Sequence, residues 1–208
     1  NFCIVGYGRH AQNKLVPAIA AAGKSCVGIV SGKDPSSLPQ LIPHFPSLDL
    51  AIERLDKDVC FVVTSPPSMH FSQSKRILKS GRNVFVEKPV CCAMSELEEL
   101  IEISIGQQVI FVQMLMHKFS RMHQIFLENL RNTPASVSSV LTRFLIPAMP
   151  PSTFRDRPQK GDDILFDFAC YPFSLMYDAR VKINEMNLLS LEKTYCAFEV
   201  DGVCDEQP

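Results

Sequence analysis

The 208-residue chain lacks long apolar runs and lacks an excess of charge of either sign. Its apolar runs are short, as in "VCFVV" at 59–63, whereas a membrane helix needs about 20 apolar residues. The formal net charge is −1, so we expect neither nucleic acid nor a membrane as a partner. No signal-peptide pattern is present. We expect a cytoplasmic protein, with a sequence that begins just inside the natural N-terminus because it opens without Met.

The chain also lacks a C-x-x-C pair, although it contains eight cysteines. A zinc site or a thioredoxin-type redox site is therefore not expected, and we predict no bound metal. Cys3, Cys26 and Cys60 each lie inside an apolar run, where cysteine acts as a small hydrophobic residue. We expect reduced thiols rather than disulfides, because a chain of this length can build a core without such crosslinks.

Short apolar runs alternate with amphipathic segments as far as residue 115. The predicted strands lie at 1–8, 25–31, 58–67, 83–89 and 108–114, and the predicted helices at 10–23, 47–56, 68–81 and 95–104. Strands that are apolar on both faces indicate a parallel sheet covered by helices on both sides. We predict an α/β Rossmann domain with a doubly wound parallel sheet over 1–115. Pro17 should bend the first helix, and Ser95 with Glu98 should form a capping box.

The pattern changes after residue 115. A helix is predicted at 120–132, an antiparallel strand at 136–146, a proline-rich loop at 147–163 and a helix at 164–179, followed by one or two strands. This order predicts an α+β domain over 116–208. Too few strands follow Asp178 to close a sheet, so we expect this second domain to be incomplete.

The sequence "GYGRHA" at 6–11 fits the pattern G-x-G-x-x-G/A between a predicted strand and a predicted helix. The first glycine permits a tight turn, and the second lets the backbone approach a pyrophosphate at the helix N-terminus. The alternative is a glycine turn that binds no dinucleotide. The predicted cofactor-binding residues of this turn are Gly6, Tyr7, Gly8, Arg9 and His10.

The second predicted strand ends in Ser31, Gly32 and Lys33. An NAD enzyme usually has a carboxylate there to bind the ribose 2′-hydroxyl. A hydroxyl and a cation suit a 2′-phosphate instead, so NADP is favoured, with Ser31 and Lys33 as its contacts. Asp34 is close enough to keep NAD as the alternative, and Lys33 as a solvated loop charge is a third interpretation.

Two more strand ends carry polar residues. Thr64, Ser65 and Pro66 end the third strand, and ligands of open α/β sheets bind at such carboxyl ends. His70 follows, as a further cofactor contact or as a helix-start residue with local hydrogen bonds. Glu87 and Lys88 end the next strand as further predicted cofactor contacts. Lys88 could bridge the nicotinamide ribose and a substrate oxygen. A surface strand end would also carry such charges.

Together these segments resemble the Gfo/Idh/MocA family of glucose–fructose oxidoreductase and inositol dehydrogenase. The motifs are "GYGRHA" at 6–11, "VVTSPPSMH" at 62–70, "LKSGRNVFVEKP" at 78–89 and "GDDILFDFACY" at 161–171. The resemblance implies a Rossmann domain followed by an α+β domain with a large, mostly antiparallel sheet. It implies an NAD(P)-dependent oxidoreductase that transfers a hydride between nicotinamide and a sugar or sugar-nucleotide carbonyl or alcohol.

The resemblance also implies roles for individual residues. Lys88 matches a lysine that contacts both cofactor and substrate, and the following Pro89 is often cis in such proteins. Tyr171 matches the position of the proton donor, which a nearby Lys88 would help to ionise. Asp167 would orient Lys88 or the substrate hydroxyls, and Lys118 would face the substrate.

Three features depart from the family pattern. Asp162 and Asp163 replace two glycines, Ala169 replaces another, and the chain is shorter than usual for the family. The Asp162 and Asp163 replacements and the short second domain favour the alternative of a non-catalytic NAD(P)-binding regulator. A Rossmann methyltransferase is the third possibility, against which the segment 87–89 and the second domain argue. We expect a small sugar-like substrate and a homo-oligomer formed through the second-domain sheet.

Overall fold

The computed structural model describes residues 1–132, 167–191 and 196–204. The chain divides into two compact units, 1–114 and 115–208. The domain boundary expected after residue 115 lies one residue from this division. The strand predicted at 136–146 and the loop predicted at 147–163 fall outside the described residues, and so do Asp162 and Asp163.

The first unit contains a six-stranded parallel sheet in the order β3-β2-β1-β4-β5-β6. This is the predicted α/β fold with a doubly wound sheet. Its strands are β1 Phe2–Val5, β2 Cys26–Val30, β3 His44–Phe45, β4 Cys60–Val63, β5 Val84–Glu87 and β6 Phe111–Met114. Its helices are α1 Val16–Ala21, α2 Leu48–Arg54, α3 His70–Lys79 and α4 Met94–Gln107, with short turns of helix at Ala11–Leu15, Pro35–Ser37 and Pro67–Met69.

Alternate residues of the central strands face two separate cores. In β1, Cys3 and Val5 pack with Ile77, Leu78 and other residues of α2, α3 and α4. Ile4 lies between them in sequence and packs in the other core, with residues of the helical segment that follows the glycine turn. Because both faces are covered, every residue of a central strand can be apolar. This explains why these strands lack a polar–apolar alternation.

The starts of two helices differ from what the sequence predicts. The helix at 10–23 begins as a π-helical turn, in which the Val16 N–H donates to the Ala11 carbonyl five residues back. Pro17 follows directly on this π-helical turn, inside a continuous run of helical residues, and it has no N–H to donate to the turn before it. The predicted capping box of Ser95 and Glu98 is wrong, because α4 begins at Met94 after Ala93.

The described part of the second unit holds two helices and a β-hairpin. The helices are α5 Arg121–Asn132 and α6 Cys170–Asp178, preceded by a 3₁₀ turn at Met116–Phe119. Strands β7 Val181–Leu191 and β8 Cys196–Cys204 pair antiparallel. Pro172 is compatible with α6 because it occupies the first turn, where no intrahelical N–H bond is needed. Further strands of the expected large sheet are not among the described residues.

The six cysteines whose side chains the structure describes are all free thiols. Burial raises the pKa of the Cys60 thiol to about 12, with the N-terminal charge acting in the opposite direction. Burial also raises the pKa of Cys3. These thiols are therefore protonated members of the core. Among the described helices, none has the length and apolar character needed to cross a membrane.

Gly6 is the residue whose substitution should damage this fold most directly. Its φ is +92°, and an added Cβ would lie 2.6 Å from the Ser65 backbone nitrogen. We predict that Gly6→Ala lowers the free energy of unfolding by about 2–4 kcal/mol. Gly8→Ala is the matched control, since nothing lies within 4 Å of its added Cβ, and its effect should stay within about 1 kcal/mol. Urea denaturation followed by circular dichroism measures both, and equal stability of the two variants would contradict the prediction.

Candidate functional site

The carboxyl ends of the parallel strands form one edge of the first unit. β1 and β4 are neighbours at the centre of the sheet, and the chain order runs outward from them in opposite directions. Ligands of open α/β sheets bind in the crevice at such a point. The predicted cofactor residues lie at this edge, in the segments 6–10, 31–33, 64–66 and 87–88.

The glycine turn leads from β1 into the first helical segment. The hydroxyl of Thr64 donates to the Gly6 carbonyl at 2.5 Å, which joins the turn to the end of β4. Tyr7 is buried, and burial raises the pKa of its phenol, with a further contribution from Cys26. Gly8 and Arg9 are exposed, and the space beside Gly8 is open. This open backbone fits the close approach of a pyrophosphate.

Lys33 folds back onto the glycine turn. Its ammonium donates to the Tyr7 carbonyl at 2.7 Å, and its backbone N–H donates to the Ser31 hydroxyl at 3.1 Å. Asp34 instead accepts from the Ser36 backbone N–H at 2.9 Å, and hydrogen bonds to Ser36 hold the pKa of this carboxyl below its ordinary value. The cation therefore lies at the edge beside the turn, while the carboxylate caps a local helical turn.

His70 connects two of the predicted loops. Its ring is buried, with Nε2 2.8 Å from the Ser65 carbonyl and Nδ1 2.7 Å from the Pro89 carbonyl. The Ser65 hydroxyl in turn donates to Gln73 at 2.5 Å. Both ring nitrogens of His70 face backbone oxygens, so its ring joins the loop at Ser65 to the loop at Pro89, 19 residues away in sequence. The role of His70 as a cofactor contact stays a prediction.

Glu87 at the end of β5 binds two groups through its two carboxylate oxygens. Oε1 lies 2.7 Å from His10 Nε2 in the glycine turn, and Oε2 accepts from the Lys88 backbone N–H at 3.2 Å. The Lys88–Pro89 peptide bond is cis, as the resemblance implies. Lys88 is half-buried.

A charged cluster in the second unit surrounds Asp178. Its carboxylate lies 2.8 Å from the Lys118 ammonium and 2.9 Å from His123 Nε2. Burial alone would raise the pKa of Asp178, but the hydrogen bonds and charges of Lys118 and His123 outweigh it and hold that pKa below its ordinary value. Lys118 also lies over the Tyr177 ring, with Nζ 5.8 Å from the ring centroid.

His117 links this cluster to Tyr171. Its ring centroid lies 5.0 Å from that of Tyr171 and 5.6 Å from that of His123. The Ser174 hydroxyl donates to the Tyr171 carbonyl and therefore accepts from His117 Nε2, 2.8 Å away. Burial and the neighbouring His123 lower the pKa of His117, Lys118 adds to this effect, and Asp178 opposes it. The lowered pKa favours the neutral form of His117, and the Ser174 hydroxyl favours the tautomer with the proton on Nε2.

The predicted substrate residues fall in the second unit, whereas Lys88 belongs to the first. Tyr171 is half-buried at the start of α6, and Asp167 is buried just before it. Each unit is described separately, so the convergence of Lys88, Tyr171, Asp167 and Lys118 on one substrate remains a prediction.

Sequence reasoning missed most of the cluster around Lys118. Tyr171, Ser174 and Asp178 recur at spacings of three and four residues, which places them on one face of α6, and this spacing could have identified Asp178. His117 and His123 reach α6 across 57 and 55 residues of sequence. No local pattern indicates such contacts. Within the described residues, no group of three or more potential ligands could hold a metal ion.

A sequence model described as an oxidoreductase family with an NAD-binding Rossmann fold, the Gfo/Idh/MocA group, matches residues 1–115. dTDP-3,4-didehydro-2,6-dideoxy-alpha-D-glucose 3-reductase of Streptomyces antibioticus is 27% identical over 177 residues, which cover 82% of this chain and 54% of the reductase. Galactose 1-dehydrogenase of Pseudomonas fluorescens is 30% identical over 104 residues, which cover 45% of this chain and 30% of the dehydrogenase. This chain thus spans little more than half the length of the first relative.

The fold also resembles solved structures. The WlbA dehydrogenase of Thermus thermophilus, solved with NAD and alpha-ketoglutarate, superposes with a TM-score of 0.76 at 15% identity. The match covers 97% of this chain and 69% of that chain. At this level of identity the likeness shows a shared fold, and it carries no information about substrate.

Asp178 gives the second unit a pH-dependent contribution to stability. Because its pKa is lowered in the folded state, the contribution is present above the unfolded pKa of about 3.9 and is lost as pH falls through the lower folded value. We predict that Asp178→Asn costs about 1–2 kcal/mol at pH 7, with a difference that narrows below about pH 4. Asp49→Asn, in the exposed pair with Arg76, should cost less. Urea denaturation between pH 7 and pH 3 tests this, and a pH-independent difference would contradict it.

Proposed function

Since the chain belongs to the Gfo/Idh/MocA oxidoreductase family, whose Rossmann fold binds NAD, we propose that it is an NAD(P)-dependent oxidoreductase of sugar-like substrates. The reaction proposed is hydride transfer between nicotinamide and a sugar or sugar-nucleotide carbonyl or alcohol carbon. We include in the proposal a cytoplasmic location and a homo-oligomer formed through the second-unit sheet. The two curated relatives, a sugar-nucleotide reductase and a galactose dehydrogenase, support the substrate class.

The observation that carries the proposal is the single strand-end edge of the first unit. It brings the open glycine turn, Lys33, the end of β4 and the Glu87–Lys88 pair to one side of the sheet. Residues at 6–8 would hold the pyrophosphate with backbone N–H groups, and Lys88 would lie toward the nicotinamide end.

The bound nicotinamide would supply or accept the hydride. Lys88 would orient the substrate oxygen by its charge, since the ammonium is a compact cation with three donors. Tyr171 would donate the proton to the developing alkoxide in the reductive direction. Asp167 would orient Lys88 or the substrate hydroxyls, and Lys118 would meet the substrate from its position beside Asp178.

NADP is the preferred cofactor in this proposal, with NAD as the alternative. A 2′-phosphate is a dianion, and Lys33 with Ser31 supplies a cation and a hydroxyl at the end of β2. The carboxylate that would suit NAD, on Asp34, is engaged with the Ser36 backbone N–H.

Substitution of Lys33 tests the cofactor preference. We predict that Lys33→Ala weakens NADPH binding about tenfold, because one charge-assisted contact to phosphate is lost, and that it leaves NADH binding within about twofold. Titration with each cofactor, followed by nicotinamide fluorescence, gives both dissociation constants. Lys24→Ala is the matched control, since Lys24 is exposed and precedes β2. Equal losses for NADPH and NADH would contradict the preference for NADP.

Turnover tests the proposed catalytic residues. With a panel of nucleotide-linked keto-sugars and NADPH, Lys88→Met and Tyr171→Phe should each lower kcat about 10²–10³-fold, because each removes a group that acts in the transition state. Lys79→Met and Tyr177→Phe are the controls, since both side chains are exposed, and they should stay within about twofold. Turnover that survives both Lys88→Met and Tyr171→Phe would refute the assigned roles.

The second candidate is a non-catalytic NAD(P)-binding regulator of the same fold. Asp162 and Asp163, which replace two glycines of the family motif, favour it. Both candidates bind the cofactor, and they differ in turnover. Tight NADPH binding without hydride transfer to any member of the substrate panel would support the regulator.

A further inference from the structure

One hydrogen bond joins the glycine turn to the strand end that carries Lys88. His10 Nε2 lies 2.7 Å from Glu87 Oε1, between residues 77 apart in sequence. The His10 side chain is 39% exposed and that of Glu87 is 12% exposed. The carboxylate is thus largely shielded from water, and the imidazole reaches it from the open side.

The His10–Glu87 hydrogen bond joins segments at the ends of two strands that are not adjacent in the sheet. β1 and β5 are not neighbours, because β4 lies between them in the sheet. The bond between His10 and Glu87 therefore spans the carboxyl end of β4. That end borders the crevice between β1 and β4, where a dinucleotide of this fold type binds.

The same carboxylate also holds the backbone of Lys88. Glu87 Oε2 accepts from the Lys88 N–H at 3.2 Å, and the peptide bond that follows Lys88 is cis. With Oε1 bound by His10 and Oε2 bound by the Lys88 N–H, both oxygens of the carboxylate are engaged. Removal of His10 would free this carboxylate to rotate and would loosen the segment that directs the Lys88 ammonium.

We propose that His10 and Glu87 are positioning residues that couple the glycine turn to Lys88, so that cofactor held at the turn fixes the direction of the Lys88 ammonium. This inference rests on the proposed function for its effect on turnover. It pairs His10 with Glu87, whereas the sequence predicts that each of them contacts the cofactor separately. A purely structural bond would change stability without linking His10 to the contribution of Lys88.

The test is a double-mutant cycle on the full chain. His10→Leu should lower kcat at saturating NADPH about tenfold, because a small misplacement of a catalytic group is costly, while the thermal midpoint changes by less than about 2 °C. Glu87→Ala should cost at least as much. The double variant should match Glu87→Ala within about twofold, since both changes remove one interaction. His10→Gln, whose amide nitrogen can take the place of Nε2, should recover kcat to within about threefold of the unchanged protein.

Effects that multiply in the double variant would overturn the coupling, and so would an unchanged kcat in His10→Leu. If kcat falls in parallel with the thermal midpoint and His10→Gln does not restore kcat, the bond has only a structural role and the proposal is wrong. These outcomes separate positioning from simple destabilisation.

A second cycle distinguishes failure of the coupling from failure of the proposed function. NADPH affinity is measured for Lys88→Met, His10→Leu and the pair, by nicotinamide fluorescence and without any substrate. The factor by which Lys88→Met weakens NADPH binding should be at least about threefold smaller when His10→Leu is also present. If the two substitutions affect NADPH affinity independently, the coupling is wrong even in an active enzyme. If their effects on affinity are coupled but no turnover is found, only the catalytic proposal is wrong. A chain that binds neither NADPH nor NADH overturns both.

Discussion

The close approach of Gly6 to the backbone of Ser65 is the constraint on which the arrangement of the first unit depends. A side chain at residue 6 would separate β1 from β4, and with them the turn that the Thr64 hydroxyl holds. Gly6 leaves β1 with a φ of +92°, a left-handed conformation that favours glycine. Gly8, two residues further along the turn, is exposed, and the space beside it is open.

In each unit a shielded carboxylate organises the candidate cation beside it. Glu87 divides its two oxygens between His10 and the backbone of Lys88, and Asp178 divides its own between Lys118 and His123. In both cases the carboxylate that contacts the lysine, through the backbone N–H of Lys88 or the ammonium of Lys118, is itself held from a second side. A two-sided arrangement fixes direction better than a single ion pair does, because rotation of the carboxylate would break two bonds. The two units thus use the same physical device with different partners.

The sequence predicted the parts of the fold that depend on local pattern. Apolar runs located β1, β2, β4, β5 and β6. The helices predicted to end at 23 and 81 end at Ala21 and Lys79, shortly before Gly23 and Gly81, which both have positive φ. β3 was missed because it has only two residues, His44 and Phe45, and lies between prolines. The capping box failed because Glu96 Oε2 binds the Cys92 backbone N–H and the helix begins earlier. Contacts such as His10–Glu87 depend on how distant segments fold together, so no spacing within the chain reveals them.

The bond from the Lys33 ammonium to the Tyr7 carbonyl has an entropic consequence. A free lysine side chain loses about 1.5–2 kcal/mol of rotamer freedom when it is immobilised. Here that loss is already incurred before any ligand arrives, because the long side chain is tethered across the turn. An ammonium has three N–H groups and the tether uses one. A phosphate that docks against Lys33 would therefore meet a prearranged donor and would not bear the entropic penalty of ordering it.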